Sequence, residues 1–399
     1  MATHHPRKTV LVVGPGPRKA VGTDQYAHGV LSAATTFASE GYRVILVDNA
    51  PYLALPPEGP EIERRIEPLT AQVLNQIVSD SGVDLIYADA GGDGAQGLVH
   101  AISQGAVMGS GPEITAAALD RSKLFAHLGA VDLTTPMHAV VHTAQAAMEA
   151  AQELDFPLQV TVTQGGDHRN LFGATPRSGP KTADASALLY NQSDLSEWAE
   201  QQLEVRPEAA LLLEKAQLGW QRYEAIVFQD GDGRQTIAGL QAYLSPTGTS
   251  NGDAGWVQPP VSADDELADA LTQTSLKFFR GSDLKGMAAL TLAVDPASGD
   301  VVVLDLTLGT SRNIAFAAAA NGFPLYETAA RIAMGAPLDA VCGERSDASG
   351  SVAVRLPVAP DSADGEKQGA PNRTTGDVMG LGDNFKEAFE NARRACGTN

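Results

Sequence analysis

The sequence predicts an α/β protein whose first part is a doubly wound parallel sheet. Short runs rich in Val, Leu and Ile alternate there with helical patterns, from TVLVVG (residues 9–14) through YRVILVD (42–48) to VDLIYAD (83–89). Further along, apolar strands follow one another around a DGDG turn, which is typical of a β-hairpin. We therefore expect an open sheet with helices on its faces, followed by mixed α and β structure.

The N-terminal elements are joined by two predicted helices and by two glycine-rich turns. The helices are DQYAHGVLSAATTFASEG (24–41) and LTAQVLNQIVSDSG (69–82). The turn GPGPRKAVG departs from the dinucleotide-binding pattern because Lys19 stands where the third glycine belongs. Asp48, at the end of the second strand, has the position of a ribose ligand. A structural turn is nevertheless the favoured interpretation. The turn AGGDGAQG (90–97) fits either an anion site or a tight crossing.

The middle and last parts contain fewer parallel-sheet signals. Helices are predicted in LDRSKLFAHLG, AQAAMEAAQELDFP, DDELADALTQTSLKFFRG, GFPLYETAARIAMG and NFKEAFENARRAC, and strands in PLQVTVTQGG, in two or three segments of 211–244, and in MAALTLAVD, VVVLDL and SVAVRL. DHRNLFGATPRSGPKTADAS predicts a long exposed loop, and residues 344–372 have the composition of a linker apart from SVAVRL. Phe385, Ala388, Phe389, Ala392 and Cys396 fall on one face of the last helix, which needs a cover.

Composition excludes several classes of function. A formal net charge of −20 and a pI near 4.7 oppose binding to nucleic acid and to anionic membranes. The two cysteines, Cys342 and Cys396, form no zinc or disulfide pattern. No apolar run has the length of a membrane span, and the start lacks the apolar core of a signal peptide, so we expect a cytoplasmic protein.

A buried apolar run (301–304) stops at Asp305, and after Leu306 the chain passes into Thr-Leu-Gly-Thr-Ser (307–311). A carboxylate at the carboxyl end of a strand is a common metal ligand in α/β enzymes. One acid, however, supplies too few oxygen ligands for Mg²⁺. The strand therefore raises the question of which other groups accompany this carboxylate.

Several stretches of the chain together indicate a family. They are VLVVGPGP, EGYRVILVDNAP, IEPLT, LDRSKLF, YNQSDLSEWAEQ, LLLEKAQLGWQRYEAIVFQD, DVVVLDLTLGTSRNIAFAAAANGFPLYETAARIAMG and GDVMGLGDNFKEAFENARRA. Through these stretches the chain resembles the large chain of carbamoyl-phosphate synthetase, in particular its first, carboxyphosphate-forming half, which is an ATP-grasp unit. They occur in the order of the family from one end to the other. The resemblance implies a divergent copy of that half, occurring on its own.

The resemblance also implies a domain organisation. It predicts an N-terminal doubly wound domain (1–120, the pre-ATP-grasp domain), a lid region (121–210) with an extended glycine-rich and basic loop at 164–184, and a larger α+β lobe (211–345). Residues 346–399 would then pack back on the large lobe and cover the apolar face of the last helix.

The resemblance places metal ligands at three positions that differ here. Asp305 stands for a Glu, Thr307 for an Asn and Thr291 for a Gln, while Gly309 replaces an Arg. Asp305 is therefore expected to be the weak remnant of a metal site.

The positions that serve the nucleotide in the family are changed as well. The Arg at the start of the lid region is kept as Arg121, Thr161 replaces the Arg of the lid strand, and Ser250 replaces a His. Lys215 and Arg222 stand where the family has Glu, and a donor-only side chain cannot accept a ribose hydroxyl proton. The remaining candidates for nucleotide or anion binding are Gly165, Gly166, Glu224 and Gly248, while His168, Arg169, Arg177 and Lys181 of the long loop either supply new cations or solvate it.

These differences predict a protein with a degenerate ATP and Mg²⁺ site that serves in binding, assembly or regulation and not in catalysis. ATP and Mg²⁺ remain its possible cofactors by resemblance alone. The alternative is an active ATP-dependent ligase with a rebuilt site that acts on a different carboxylate or anion. The expected partner is a second copy of the chain or another protein chain, of the synthetase or glutaminase kind.

Overall fold

A computed structural model describes residues 7–14, 24–49, 61–102, 105–163, 186–247, 254–342, 350–358 and 376–397. These residues form three sheets. The described part of the chain contains no helix that is both long and apolar enough to cross a membrane.

The first sheet is parallel and has the strand order β3-β2-β1-β4-β5. Its strands are Thr9–Val13 (β1), Arg43–Asp48 (β2), Ile62–Ile66 (β3), Leu85–Tyr87 (β4) and Ala106–Met108 (β5). β1 is buried along its whole length because β2 and β4 flank it and helices cover both of its faces, which explains its continuous apolar sequence.

The second sheet is antiparallel and has the order β6-β9-β7-β8. Its residues follow those of the first sheet along the chain and precede those of the third. Its strands are His138–Val141 (β6), Leu158–Thr163 (β7), Ser186–Leu189 (β8) and Ala210–Lys215 (β9). Two amphipathic helices pack on one of its faces through Ala147, Ala151, Leu195 and Ala199. The opposite face is left for the cleft described below.

The third sheet is antiparallel, has the order β14-β13-β10-β11-β12-β15-β16, and carries the largest apolar core. Its strands are Gln221–Gln229 (β10), Gln235–Tyr243 (β11), Trp256–Gln258 (β12), Gly286–Val294 (β13), Val301–Leu308 (β14), Val352–Val358 (β15) and Gly376–Gly382 (β16). The last two strands, β15 and β16, extend this sheet beyond β12.

Twelve α-helices lie within the described residues. They are Asp24–Ser39 (α1), Ala71–Ser81 (α2), Asp93–Val99 (α3), Pro112–Leu119 (α4), Arg121–Ala130 (α5), Ala144–Leu154 (α6), Gln192–Val205 (α7), Asp265–Phe279 (α8), Arg312–Asn321 (α9), Leu325–Ala333 (α10), Leu338–Val341 (α11) and Phe385–Ala395 (α12). Side-chain caps begin many of them: Thr70 accepts from the amide of Val73, and Asn384 accepts from the amide of Glu387.

The structure corrects the sequence-based elements at several places. AGGDGAQG is mostly helical, because a 3₁₀ turn at Asp89–Gly91 is followed directly by α3. Among the strands, the prediction missed the charged edge strand β3, the short strands β5, β6, β8 and β12, and β16, whose sequence GDVMGLG carries three glycines. Tertiary pairing supports these strands where local propensity does not. Most of GPGPRKAVG, the long basic loop and much of 344–372 lie outside the described residues.

Candidate functional site

A cleft of about 480 Å³ lies between the second sheet and the third sheet. β7, β8 and β9 line one side through Gln159, Thr161, Ser186, Leu188 and Glu214, and the other side is formed by residues of the large sheet and of α5. The lining contains two cations, Arg121 and Arg222, and two carboxylates, Glu214 and Asp305. Its formal charge is therefore balanced.

Register across the large sheet brings three of the residues singled out in the sequence into one row. Glu224 of β10 pairs with Thr291 of β13, which pairs in turn with Asp305 of β14. A β-bulge between Thr291 and Leu292 shifts the register of the β13–β14 pair at this point. The resemblance locates metal ligands at positions 291 and 305 of this row and places Glu224 with the nucleotide. The row presents the accessible carboxylate of Asp305, the hydroxyl of Thr291 and the buried carboxylate of Glu224.

Asp305 is open to the cleft, and a second acid lies near it. Desolvation by the surrounding protein raises the pKa of Asp305, while the charge of Arg121 opposes this shift. Desolvation and the charge of Asp305 raise the pKa of Asp93, at the start of α3, to about 6. Both side chains stay accessible to solvent, which limits the desolvation. Within the described residues no group of three or more His, Cys, Asp or Glu side chains is arranged to hold a metal.

Arg121 is already engaged by the protein. Its Nε donates to Glu214 Oε2 at 2.6 Å, its Nη2 donates to Glu214 Oε1 at 2.5 Å, and its Nη1 donates to the carbonyl oxygen of Leu304. Glu214 is almost completely buried, and the pair is a bidentate one of the strong kind. The guanidinium that the resemblance directs toward phosphate therefore neutralises a carboxylate of the cleft wall.

Lys215 does not line the cleft. Alternation along β9 turns Glu214 toward the cleft and Lys215 to the other face, where its Nζ donates to the carbonyl oxygen of Phe156 at 2.9 Å. Its ammonium lies 3.7 Å from Asp155 Oδ2. The structure thus separates Lys215 from the other candidate residues.

Arg222 lies in the cleft wall, but most of its side chain is buried. Its guanidinium carbon stands 3.9 Å from the centre of the Tyr243 ring, which is a close cation–π contact. Burial lowers the pKa of Arg222, and Tyr243 opposes this effect. Arg222 therefore presents a stacked cation where a hydroxyl acceptor is expected from the resemblance.

Glu224 lies beneath the cleft floor in a buried polar network. Its Oε1 accepts from Gln241 Nε2 and its Oε2 accepts from Asn313 Nδ2, both at 2.9 Å. Desolvation raises the pKa of Glu224 to about 7, and the two amides and Arg355 lower it. Arg355 in turn donates to Asn313 Oδ1, and burial lowers its pKa to about 10. Both carboxylate oxygens of Glu224 are thus already used.

Gly309 follows β14 and has a left-handed backbone conformation, with φ of 65°. A Cβ atom at this position would clash with the backbone carbonyl and the side chain of Asp89. The N-terminal sheet therefore occupies the space that a side chain at position 309 would need. An arginine there requires the two lobes to move apart.

Other candidates from the sequence cannot be placed. Gly165, Gly166 and Gly248 lie outside the described residues, as do Ser250 and the basic residues of the long loop. Conversely, sequence reasoning missed Glu214, Asp93 and Arg355. The period-2 pattern of LLLEK could have shown that Glu214 and Lys215 face opposite sides. Asp93 belongs to the turn AGGDGAQG, but nothing in that turn indicates its proximity to Asp305, and no local signal marks Arg355.

Comparison with protein families decides the assignment of this fold and cleft. Residues 120–341, more than half of the chain, match the family described as carbamoyl-phosphate synthase L chain, ATP binding domain. The chain belongs to this family. The similarity to the carbamoyl-phosphate synthetase large chain expected from the sequence is confirmed.

Curated relatives extend the match to almost the whole chain. It is 28% identical to the carbamoyl phosphate synthase large chain of Pseudarthrobacter chlorophenolicus over 97% of its length, and 26% identical to that of Neisseria meningitidis serogroup B over 98%. These alignments cover 35% and 37% of the relatives. The chain therefore spans about a third of the length of these relatives.

Solved structures confirm the ATP-grasp fold. N5-carboxyaminoimidazole synthetase from Staphylococcus aureus has a TM-score of 0.69 at 14% identity, with 98% of this chain and 97% of that chain covered. Biotin carboxylase from Campylobacter jejuni has a TM-score of 0.63 at 15% identity, covering 89% of this chain and 77% of that one. At these identities the similarity concerns the fold alone.

Proposed function

We propose that this protein is a non-catalytic member of the ATP-grasp family that acts in binding, assembly or regulation. The observation that carries the proposal is the row of Glu224, Thr291 and Asp305 on the large sheet. Transfer of phosphate from ATP needs Mg²⁺ on several hard oxygen ligands and cations around the phosphates. The described residues of this row do not fit such a metal.

The small number of oxygen ligands that the row offers to Mg²⁺ supports this proposal. Mg²⁺ requires nearly octahedral coordination by oxygen, usually with one or two protein carboxylates that are free to bind it. Glu224 is buried and accepts one hydrogen bond from an amide on each oxygen, so a metal ion would compete with two donors for this carboxylate. Asp305 is the remaining acid of the row, and the neighbouring hydroxyls of Thr291 and Thr307 are weak substitutes.

The charge of the cleft supports the same conclusion. ATP carries several negative charges, which the two carboxylates in the lining repel and its two arginines attract. Arg121 is neutralised by Glu214, and Arg222 is held against Tyr243. Without a metal, the cleft offers no net positive charge from its lining residues.

The test is calorimetric titration of the purified protein with ATP and with ADP, each with and without Mg²⁺, followed by measurement of phosphate release. We expect no Mg²⁺-dependent binding and no turnover at millimolar nucleotide. Asp305→Asn should behave like the unmodified protein, and Asp300→Asn, in the β13–β14 turn, is the matched control. Mg²⁺-dependent binding with turnover that Asp305→Asn abolishes and Asp300→Asn leaves intact would refute the proposal.

A rebuilt ligase is the second candidate function, and the persistence of an open cleft favours it. Asp305 remains accessible there, next to Arg121 and Arg222, so a smaller anion has cations within reach. This candidate predicts phosphate release from ATP that depends on an added carboxylate or amine acceptor. The absence of nucleotide binding in the titration above rules it out.

Carbamoyl phosphate synthesis by this chain alone is a poor candidate. The relatives that carry this name are about three times as long as the aligned region. We propose instead that the chain works with a protein partner, either a second copy or another chain.

A further inference from the structure

The outer edge of the large sheet differs from the edge of the N-terminal sheet. β3, at the edge of the N-terminal sheet, carries Glu63 between Arg43 and Arg65, with ion pairs of 2.6 and 2.7 Å. Such charges protect an edge strand from pairing with other chains. β16, which pairs only with β15 among the described strands, has one charged residue, Asp377, and this carboxylate is turned toward Arg312 and Arg355.

Two large apolar side chains are exposed on this edge strand. Met379 is 36% exposed and Leu381 is 48% exposed. They alternate with Gly380 and Gly382, which face α12 and allow that helix to approach closely. Nothing in the charge pattern of β16 beyond Asp377 prevents association at this edge.

α12 runs antiparallel to β16 and carries a polar stripe, formed by Glu387, Asn391 and Arg394, along the outer edge of the sheet. Gly382 lies against Glu387 and Ala388, and Gly380 lies against Ala388 and Ala392, so helix and strand are antiparallel. Glu387, Asn391 and Arg394 are four and three residues apart and share one side of the helix. Asn391 Nδ2 donates to the carbonyl oxygen of Leu381 at 2.7 Å, which places this side above β16.

The polar stripe of one copy is complementary in charge to the polar stripe of a second, antiparallel copy. It reads acid, amide and base from the start of α12 to its end, with Asn391 near the middle. Two helices packed antiparallel about an axis at Asn391 would place Glu387 of each copy opposite Arg394 of the other. The same two-fold axis would bring Met379 and Leu381 of the two copies together, as an isologous interface requires.

We propose that the edge formed by β16 and α12 (Met379, Leu381, Glu387, Asn391 and Arg394) is the interface of a two-fold symmetric homodimer. Side chains make this contact, because the Leu381 carbonyl is already bonded to Asn391. Only five side chains of each copy form the proposed contact, so we expect a weak and reversible dimer. The interface is separate from the cleft, and nucleotide titration therefore tests the proposed function independently.

Charge reversal tests the antiparallel arrangement. Sedimentation analysis of the full chain should show a reversible dimer, weakened about tenfold or more by Glu387→Arg and by Arg394→Glu, because each places like charges in contact twice. The double variant Glu387→Arg/Arg394→Glu should recover most of the affinity. A monomeric unmodified protein, or a double variant no better than the single ones, would overturn the proposal.

A second measurement does not depend on the strength of the charges. Met379→Lys/Leu381→Lys should give a monomer, while Val261→Lys, at an exposed apolar residue elsewhere, should leave the dimer unchanged. In a chain with Cys342→Ser and Cys396→Ser, Asn391→Cys should form an intermolecular disulfide on mild oxidation, and Glu149→Cys should not. Circular dichroism confirms that each variant is folded. Equal cross-linking of both cysteine variants contradicts the proposed axis.

Discussion

Glu224 is the residue whose environment gives the sharpest prediction at the scale of single side chains. It is buried beneath the cleft floor, between Gln241 and Asn313, with Arg355 and Asp305 as the nearest charged groups. Its pKa of about 7 lies above that of an unfolded Glu, near 4.5. The folded state therefore binds this proton more tightly than the unfolded state.

The sign of the pH dependence follows from this. The contribution of Glu224 to stability is fully present below the pKa of the unfolded state and is lost as the pH rises through about 7. We expect the unmodified protein to lose on the order of 2 kcal/mol between about pH 5 and pH 8 relative to Glu224→Gln, which cannot ionise. Urea unfolding at the two pH values measures this difference. Parallel pH profiles for the two proteins would contradict the assigned pKa.

Arg121 and Lys215 are two candidate cations whose charged groups are engaged by neighbouring groups of the protein. Both are candidates for an anion in the sequence. The structure joins Arg121 to Glu214 and turns Lys215 toward backbone carbonyls on the far face of β9. A cation in a cleft is available to a ligand only to the extent that the protein has not already neutralised it.

α12 and β16 give a prediction at the scale of secondary-structure elements. Ala388 and Ala392 are fully buried against the large sheet, and a Cβ atom on Gly380 would clash with the backbone of both residues. Gly380→Ala should destabilise the protein by about 2 kcal/mol because helix and strand must separate. Gly376→Ala, at the start of the same strand, has open space and should have little effect.

Thermal unfolding followed by circular dichroism at 222 nm measures both glycine variants. Because both lie in one strand, the comparison removes the general effect of replacing glycine by alanine in a strand. Equal melting temperatures would show that α12 is not closely packed on Gly380.

The contact between the N-terminal sheet and the large lobe gives a prediction for the whole molecule. Gln96 Nε2 donates to the carbonyl oxygens of Asp89 and of Leu308, both at 3.1 Å, and Gly309 packs on Asp89. Asp89 is itself buried, and its carboxylate accepts from the amide and the hydroxyl of Ser110. This contact joins the N-terminal sheet to the end of β14 in the large sheet.

Gly309→Ala should therefore loosen the connection between the lobes. Gly299, in an open turn, also has a positive φ, of 78°, and nothing lies near its missing Cβ atom. Both Ala variants carry the cost of a left-handed backbone, about 1 kcal/mol, but only Gly309→Ala adds the clash with Asp89. We expect it to be less stable than Gly299→Ala by about 2 kcal/mol in urea unfolding. Equal destabilisation would show that the lobes do not rely on this approach.

The sequence by itself determined the family, the ATP-grasp fold and most of the long elements. Continuous apolar runs such as TVLVV and the helical period of ALTQTSLKFF are local signals, and they persist wherever the chain packs. The expectation that residues 291, 305, 307 and 309 depart from the family pattern also comes from the sequence alone.

Only the tertiary structure decided which of these residues act together. Strand register placed Glu224, Thr291 and Asp305 in one row, although they are separated by long stretches of sequence. Alternation along β9 separated Lys215 from the cleft, and the approach of Asp89 explained why position 309 is a glycine. Burial, charge neutralisation and close contact depend on the three-dimensional neighbours of a residue, which the order of residues along a single chain does not specify.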